Sequence, residues 1–236
     1  MKIIGIIPAR LQSKRLVNKP LLEFNNKTLL EHTYEAVKKS SLFDQIYIAT
    51  DSKLIQDTAN NFNAEIIITS EKNKNGTERC IDVIKQLHKN INNHDLVINI
   101  QCDEPFLRKK HFKAIIKLMN SNVQIATLVS PIKKLEFNDT NVVKVSVNKD
   151  SMANTFSRFH SKFNTKDILY KHIGIYAYKK KTLLELAKLK EVQIEIDESL
   201  EQLRWLKNNY IIHCKTITED LISINTIDDV KKVLKK

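Results

Sequence analysis

Apolar residues run from Ile3 to Ile7, interrupted only by Gly5, and the run closes at Pro8. A stretch this short, ended by proline, predicts a strand covered on both faces, as at the centre of a parallel sheet. The period then changes. Over 28–40, Leu29, Leu30, Thr33, Tyr34 and Val37 share one helical face, with Glu31, Glu35, Lys38 and Lys39 elsewhere. A β-branched strand is predicted over 45–50, and Asp51 is placed to N-cap a helix over 52–62. A third strand follows over 65–69. After a polar loop at 70–76, Thr77, Glu78 and Arg79 open a helix that turns Cys80, Ile81, Ile84 and Leu87 inward. A fourth strand spans 96–101, and the helix beyond it carries Phe112, Ile115, Ile116 and Met119 on one side.

Regular alternation of strand and helix predicts an α/β fold: a three-layer α/β/α sandwich around a mostly parallel central sheet. In the second half the pattern changes to strands over 123–131, 142–148 and 169–178, with a less regular segment over 151–167. Residues 131–178 are therefore expected to form a substrate or dimerisation lobe within a single domain spanning 1–236. Helices are predicted over 180–189 and 198–208, a strand over 210–217, and a last helix over 226–234 with a Thr226/Asp229 capping box.

With 236 residues and 42% hydrophobic content, the chain supports one substantial core. Three unclustered cysteines, Cys80, Cys102 and Cys214, make neither a disulfide framework nor a C-x-x-C metal site, and point to a reducing cytoplasm. No apolar run reaches membrane-spanning length, and no signal-peptide pattern is visible, so neither a membrane nor secretion is expected. A net charge of +12 suggests nucleic acid as a partner, but the lysines are scattered and do not alternate with aromatics. No nucleic-acid interface is expected.

Charge matters locally instead. Arg10, Lys14, Arg15 and Lys19 crowd the loop leaving the first strand, where open α/β sheets bind ligands. The loop is neither a G-x-x-x-x-G-K-[ST] phosphate loop nor a G-x-G-x-x-G fingerprint, so side-chain cations must grip any phosphate there. Arg10, Arg15 and Lys19 suit a triphosphate; a solvated surface loop is the plain alternative. Asp103 and Glu104 follow the fourth strand on the same edge. A carboxylate there suits Mg²⁺, which binds phosphates and one or two carboxylates, although Asp103 also suits a turn before Pro105. Gln101 is on the same rim, placed to read a base or ribose. Strand alternation puts His172, Gly174, Tyr176 and Tyr178 on one face, with Gly174 leaving room between two rings for a polar ligand. A lone strand histidine is otherwise structural. Leu200, Leu203 and Leu206 form a core stripe, leaving Glu198, Glu201, Gln202 and Arg204 to face solvent or a cleft, while Trp205 is read as packing.

Taken in order, Ile6-Ile7-Pro8-Ala9-Arg10 with Arg15-Leu16 and Lys19-Pro20, Ala49-Thr50-Asp51, Gly76-Thr77-Glu78-Arg79, Gln101 with Asp103-Glu104-Pro105, Phe156-Ser157-Arg158, His172-Ile173-Gly174-Ile175-Tyr176 and Leu200-Glu201-Gln202-Leu203-Arg204 resemble the 3-deoxy-manno-octulosonate (Kdo) cytidylyltransferase family. The resemblance covers nearly the whole chain. It implies a nucleotide-diphospho-sugar transferase type of sandwich, a homodimer, and the reaction of CTP with Kdo to give CMP-Kdo and pyrophosphate with Mg²⁺, for lipopolysaccharide or capsule synthesis. By position it implies Ala9, Arg10, Arg15, Lys19, Thr77, Arg79 and Gln101 at the nucleotide. Arg158, His172, Tyr176, Glu201 and Gln202 fall at the sugar acid, Asp103 and Asn225 at the metal, and Arg10, Lys19 and Asp103 at the reacting centre.

Three departures stand out. Cys102 replaces a family glycine and places a side chain where backbone would approach a ligand, so CTP is expected to shield it from alkylation. Asn18 replaces another glycine; asparagine tolerates the left-handed conformation best after glycine. Asn225 replaces a metal-binding aspartate, removing a full negative charge from that position. Within the class, 8-amino-Kdo or a nonulosonate is the rival acceptor, and a weakened nucleotide-binding paralogue is the rival role.

Overall fold

The computed structural model describes residues 1–12, 16–87, 91–120 and 122–234. The isoleucine-rich opening run is β1 (Ile3–Pro8), and it has parallel neighbours on both sides, β4 (Gln45–Thr50) and β6 (Leu96–Ile100). Ile4 and Ile6 face one apolar core and Ile7 the other, all without solvent exposure. This explains the absence of a polar face in the run. One core packs α1 (Leu29–Ser40), α2 (Lys53–Asn60), α4 (Lys109–Leu118) and α8 (Ile227–Leu234) against the sheet. The other packs α3 (Gly76–Gln86), α5 (Lys180–Leu186) and α7 (Gln202–Lys207). The three-layer expectation holds.

The sheet runs β11-β7-β10-β6-β1-β4-β5, with β5 (Glu65–Ile68) parallel to β4 at one edge. At the other side β11 (Ile212–Thr216) lies parallel to β7 (Ile125–Pro131). Between these parallel halves runs β10 (Leu169–Lys179), antiparallel to both β6 and β7. The segment expected to be irregular, 151–167, contains β9 (Ala153–Ser157), which pairs with β8 (Lys144–Val147) as β8 pairs with the start of β10. Phe156 is the only large apolar residue in β9, so the alternation that reveals a strand is faint there.

Local chemistry sets the element ends. Thr28 and Asn75 accept from the backbone of Glu31 and Glu78 at 3.1 and 2.9 Å, capping α1 and α3. The Thr226/Asp229 box forms as expected: Asp229 accepts from Thr226 N–H at 2.9 Å and donates its own N–H to Thr226 Oγ1 at 3.3 Å. A short hairpin, β2 (Glu23–Phe24) with β3 (Lys27–Thr28), turns on Asn25 and Asn26 at φ 48° and 61°. The helix expected over 198–208 begins later than its expected start, and a separate helix precedes it. α6 (Gln193–Glu198) stops at Ser199, whose φ is 52°, and α7 starts at Gln202. No helix among the described residues is long and apolar enough to cross a membrane.

Asp51 is not a helix cap. Ser52 caps α2, accepting from Ile55 N–H at 3.4 Å, while Asp51 pairs with Arg79 Nη2 at 2.5 Å. The Arg79 side chain is 3% exposed, and its Nη1 donates to Thr69 Oγ1 at 2.7 Å, so the guanidinium ties α3 to the ends of β4 and β5. Removing one partner of such a pair leaves a buried charge uncompensated, which is more damaging than replacing both. Asp51→Ala is therefore expected to lower stability by about 3 kcal/mol. In urea titrations the midpoint should fall at constant slope, and adding Arg79→Met should recover part of the loss; a neutral single variant would refute the clamp.

Candidate active site

The parallel strands β1, β4 and β6 place their carboxyl ends on one rim. Because β10 runs the other way, its early residues reach that rim too: Ile175 lies opposite Ile100, which sets Gly174 and His172 beside and beyond Gln101. Gln101 N–H donates to Gly174 O at 2.9 Å. Glycine is required here by space. A Cβ on Gly174 would meet Glu104 Oε1 at 2.9 Å and Gln101 Cβ and Cγ at 3.1 Å, and a Cβ on Gly76 would meet Gln101 Nε2 at 2.6 Å. The gap expected at Gly174 is thus filled by Gln101 and Glu104 rather than left open to a ligand. Gln101 Nε2 also donates to Asn99 Oδ1 at 3.3 Å, so the amide is oriented from below.

Next to it lies a three-residue cluster drawn from distant parts of the chain. Lys19 Nζ donates to Asp103 Oδ2 at 2.5 Å and to Asn225 Oδ1 at 3.2 Å. Lys19 opens a 3-10 turn whose N-cap, Asn18, has φ 53°, the left-handed geometry anticipated for that asparagine. Asp103 and Asn225 are held together through backbone, Ile224 N–H donating to Asp103 O at 2.9 Å. Glu104, which sequence reasoning paired with Asp103 but gave no role, reinforces the same junction. Its Oε1 accepts from Gly174 N–H at 2.9 Å and Ser223 Oγ at 2.6 Å. Burial, and then the Asp103 charge beside it, raise its pKa to about 7.

Arg158 and His172 face the same region. Burial holds the imidazole neutral down to about 3, the Arg158 charge adds to that effect, and Asp103 opposes it. His172 Nε2 lies 3.0 Å from Thr127 Oγ1, whose hydroxyl donates to Ile175 O at 2.7 Å. The hydroxyl proton being committed, Nε2 is the protonated nitrogen and Nδ1 keeps its lone pair. Arg158 Nε and Nη1 donate to the carbonyls of Glu198 and Thr140 at 2.9 and 3.0 Å. Tyr176 belongs more to the core than to a pocket, since it is 3% exposed and its ring meets Trp205 edge-on at 5.1 Å. Its buried hydroxyl lacks a hydrogen-bond partner among the described residues.

The remaining expected residues divide. Ala9 is buried and bonded by N–H to Ala49 O at 2.9 Å, which sets the direction of Arg10; Arg10 Nη1 reaches Lys74 O at 2.9 Å in the 70–76 loop. Arg15 lies outside the described residues. Arg79, expected at the nucleotide, is engaged with Asp51 and Thr69 as described. Cys102 turns into the apolar core, where burial raises its thiol pKa, so it is not the rim residue that CTP would shield. Gln202 is buried at the start of α7. Glu201, expected among the sugar contacts, covers the amino end of α3: it accepts from Thr77 Oγ1 at 2.9 Å and from Thr77 N–H at 3.2 Å. Thr77 Oγ1 also lies 3.1 Å from Tyr178 Oη.

Removal from water raises the Glu201 pKa from 4.5 to about 7, against the lowering effect of the Thr77 bonds. A carboxyl whose pKa is higher folded than unfolded stabilises most below its unfolded value, and that contribution is lost as pH rises through the folded value. Glu201→Gln has no proton to lose. Its melting temperature relative to wild type is expected to climb from about pH 4.5 to about pH 7 and then level off. A flat difference across that window would show that the carboxyl titrates normally.

A cytidylyltransferase family profile matches residues 4–219. The 3-deoxy-manno-octulosonate cytidylyltransferase of Parabacteroides distasonis is 36% identical, over 99% of this chain and 97% of its own length. The enzyme of the same name from Fusobacterium nucleatum is 37% identical, over 99% and 96%. Among solved structures, a CMP:2-keto-3-deoxy-manno-octonic acid synthetase complexed with CTP superposes with a TM-score of 0.86 at 30% identity, covering 99% of this chain and 97% of that one. HddC from Yersinia pseudotuberculosis, at 16% identity and a TM-score of 0.69, shares the fold. With this rim, this sheet order and these relatives, the chain belongs to the 3-deoxy-manno-octulosonate cytidylyltransferase family.

Proposed function

We propose that the chain activates Kdo with CTP, giving CMP-Kdo and pyrophosphate. The observation that carries this reading is the convergence on one rim of Lys19, Asp103 and Asn225 with His172 and Arg158. One set suits a polyphosphate and the other an acidic sugar. In the reaction the anomeric oxygen of Kdo bonds to the α-phosphorus, the bond from that phosphorus to the bridging oxygen breaks so that pyrophosphate leaves with the electron pair, and the hydroxyl proton passes to solvent. Such a transfer needs in-line positioning and charge neutralisation rather than a covalent nucleophile on the protein.

Arg10 and Lys19 are proposed to hold the triphosphate, with Arg15 joining them from the same loop, and Gln101 to contact the nucleoside. Arg158 clamps the sugar carboxylate through its two-pronged donor geometry. His172, neutral at physiological pH, offers Nδ1 as an acceptor to a sugar hydroxyl. Asp103 and Asn225 supply hard oxygen donors that already converge on one cation, the Lys19 ammonium, so the donor set suits Mg²⁺. When bound there, Mg²⁺ neutralises phosphate charge. Asn225 brings an amide oxygen without charge, which weakens the metal's hold. The working form is proposed to be a homodimer; Leu135, Phe159 and Ile168, exposed at 93, 47 and 62% within 131–178, support that reading. A monomer mass in light scattering would remove it. Three buried free thiols suit the cytoplasm.

With CTP and Mg²⁺, pyrophosphate release is expected to be fastest with Kdo in a panel that includes 8-amino-Kdo and a nonulosonate. Another preferred acceptor reassigns the sugar, and no release with any sugar leaves a nucleotide-binding paralogue. In the same assay, Asn225→Asp is expected to reach half-maximal rate at a lower Mg²⁺ concentration than wild type. Superimposable titrations would refute a metal role for this position.

A further inference from the structure

Lys144 is fully buried, an unusual position for a lysine, and among the described residues its ammonium is hydrogen-bonded by backbone carbonyls. Its three donors meet three carbonyls: Asp139 O at 2.6 Å, Val142 O at 2.9 Å and Arg158 O at 2.9 Å. Two of these acceptors sit in the loop leading into β8 and the third follows β9, so the lysine ties that loop to residue 158. The same loop provides Thr140 O, the acceptor for Arg158 Nη1 at 3.0 Å. Opposite it stands Glu198, 5% exposed, at the end of α6. Glu198 Oε1 accepts from Ser157 Oγ at 2.8 Å, Oε2 from Arg158 N–H at 2.9 Å, and its carbonyl from Arg158 Nε at 2.9 Å. The guanidinium is therefore fixed from two sides. Both of these side-chain contacts are to backbone carbonyls, which orient the fork.

We propose that Lys144 and Glu198 are positioning residues for the acceptor sugar: they hold the backbone and guanidinium of Arg158 in the geometry that receives a carboxylate. Burying a lysine costs more than burying an apolar residue of its size, so a site needing only stability gains nothing from it. The inference rests on the reading that Arg158 meets the sugar acid, and the test separates the two.

Steady-state kinetics with Kdo and calorimetric CTP binding are compared for wild type, Lys144→Met, Arg158→Ala and the double variant. Lys144→Met is expected to raise the KM for Kdo by about tenfold or more, since small misplacements of a clamp have large effects, while CTP affinity stays within about twofold. In the Arg158→Ala background the same substitution should leave the KM for Kdo nearly unchanged, because the group it positions is gone. An equal penalty with and without Arg158, or a loss of melting temperature with no change in KM, overturns the positioning role. If Arg158→Ala itself leaves the KM for Kdo unchanged, the assignment of Arg158 falls and this inference falls with it. Should Lys144→Met not fold, Lys144→Gln and Glu198→Gln are read in the same cycle, with the same two outcomes deciding.

Discussion

The site depends on how closely β6 and β10 approach where they leave the sheet. Gln101 is pressed between Gly76 and Gly174, two of only three glycines in the chain. Neither glycine has a positive φ, so what they contribute is room rather than backbone freedom. That room lets Glu104 reach the Gly174 N–H and hold Ser223 with the same oxygen. Through Ser223 the chain's last segment is drawn in, bringing Asn225 to Lys19 and Asp103. A methyl at position 174 would collide with both Glu104 and Gln101, disturbing the two arms of the site together.

Left-handed backbone is supplied by other means. Asn18, Asn25, Asn26, Asn63 and Asn209, with Ser41, Ser151 and Ser199, occupy the positive-φ positions that glycine usually fills. Asparagine does this at modest strain because its short amide tolerates the region. Asn18 shows the functional result: its φ of 53° turns the chain into the 3-10 segment that presents Lys19 to Asp103. A glycine-poor composition has therefore kept the turns and reserved glycine for places where even a Cβ is too large.

Much of the fold was legible because its signals are local. A five-residue apolar run, a period of 3.6 and an N-cap serine or threonine each follow from backbone geometry within a few residues. β9 was missed because pairing with β8 stabilises it more than its own pattern does. Asp51 was misread because a cap and an ion-pair partner look alike in sequence; Ser52 fits the cap, and a buried arginine 28 residues away takes the carboxylate. Lys19, Asp103 and Asn225, singled out by residue type and resemblance, come into contact in the fold, and His172 and Arg158 were singled out in the same way. Lys144 was not, since nothing local marks a charged residue as buried, and Glu198 was read only as a helix residue facing solvent or a cleft. Cys102 was placed correctly in sequence but on the wrong side of the backbone, a distinction set by the turn after β6.

The scattered positive charge also has a structural explanation. Among the described residues the rim's cations are engaged within the fold: Lys19 with Asp103 and Asn225, Arg10 with the Lys74 carbonyl, Arg158 with the carbonyls of Glu198 and Thr140 among its contacts. Such a site receives an anion by exchanging contacts. For Arg10 the partner given up or shared is a neutral carbonyl, which competes weakly with phosphate. For Lys19 the partner is a carboxylate at 2.5 Å, a stronger competitor. On the proposed function, an incoming triphosphate would have to displace the lysine from Asp103, and Asp103 would then need another positive partner. On that same reading, a metal-carrying nucleotide would meet both demands at once, whereas a bare polyanion such as nucleic acid would meet only the first. This is why a net charge of +12 does not by itself make the rim a nucleic-acid surface.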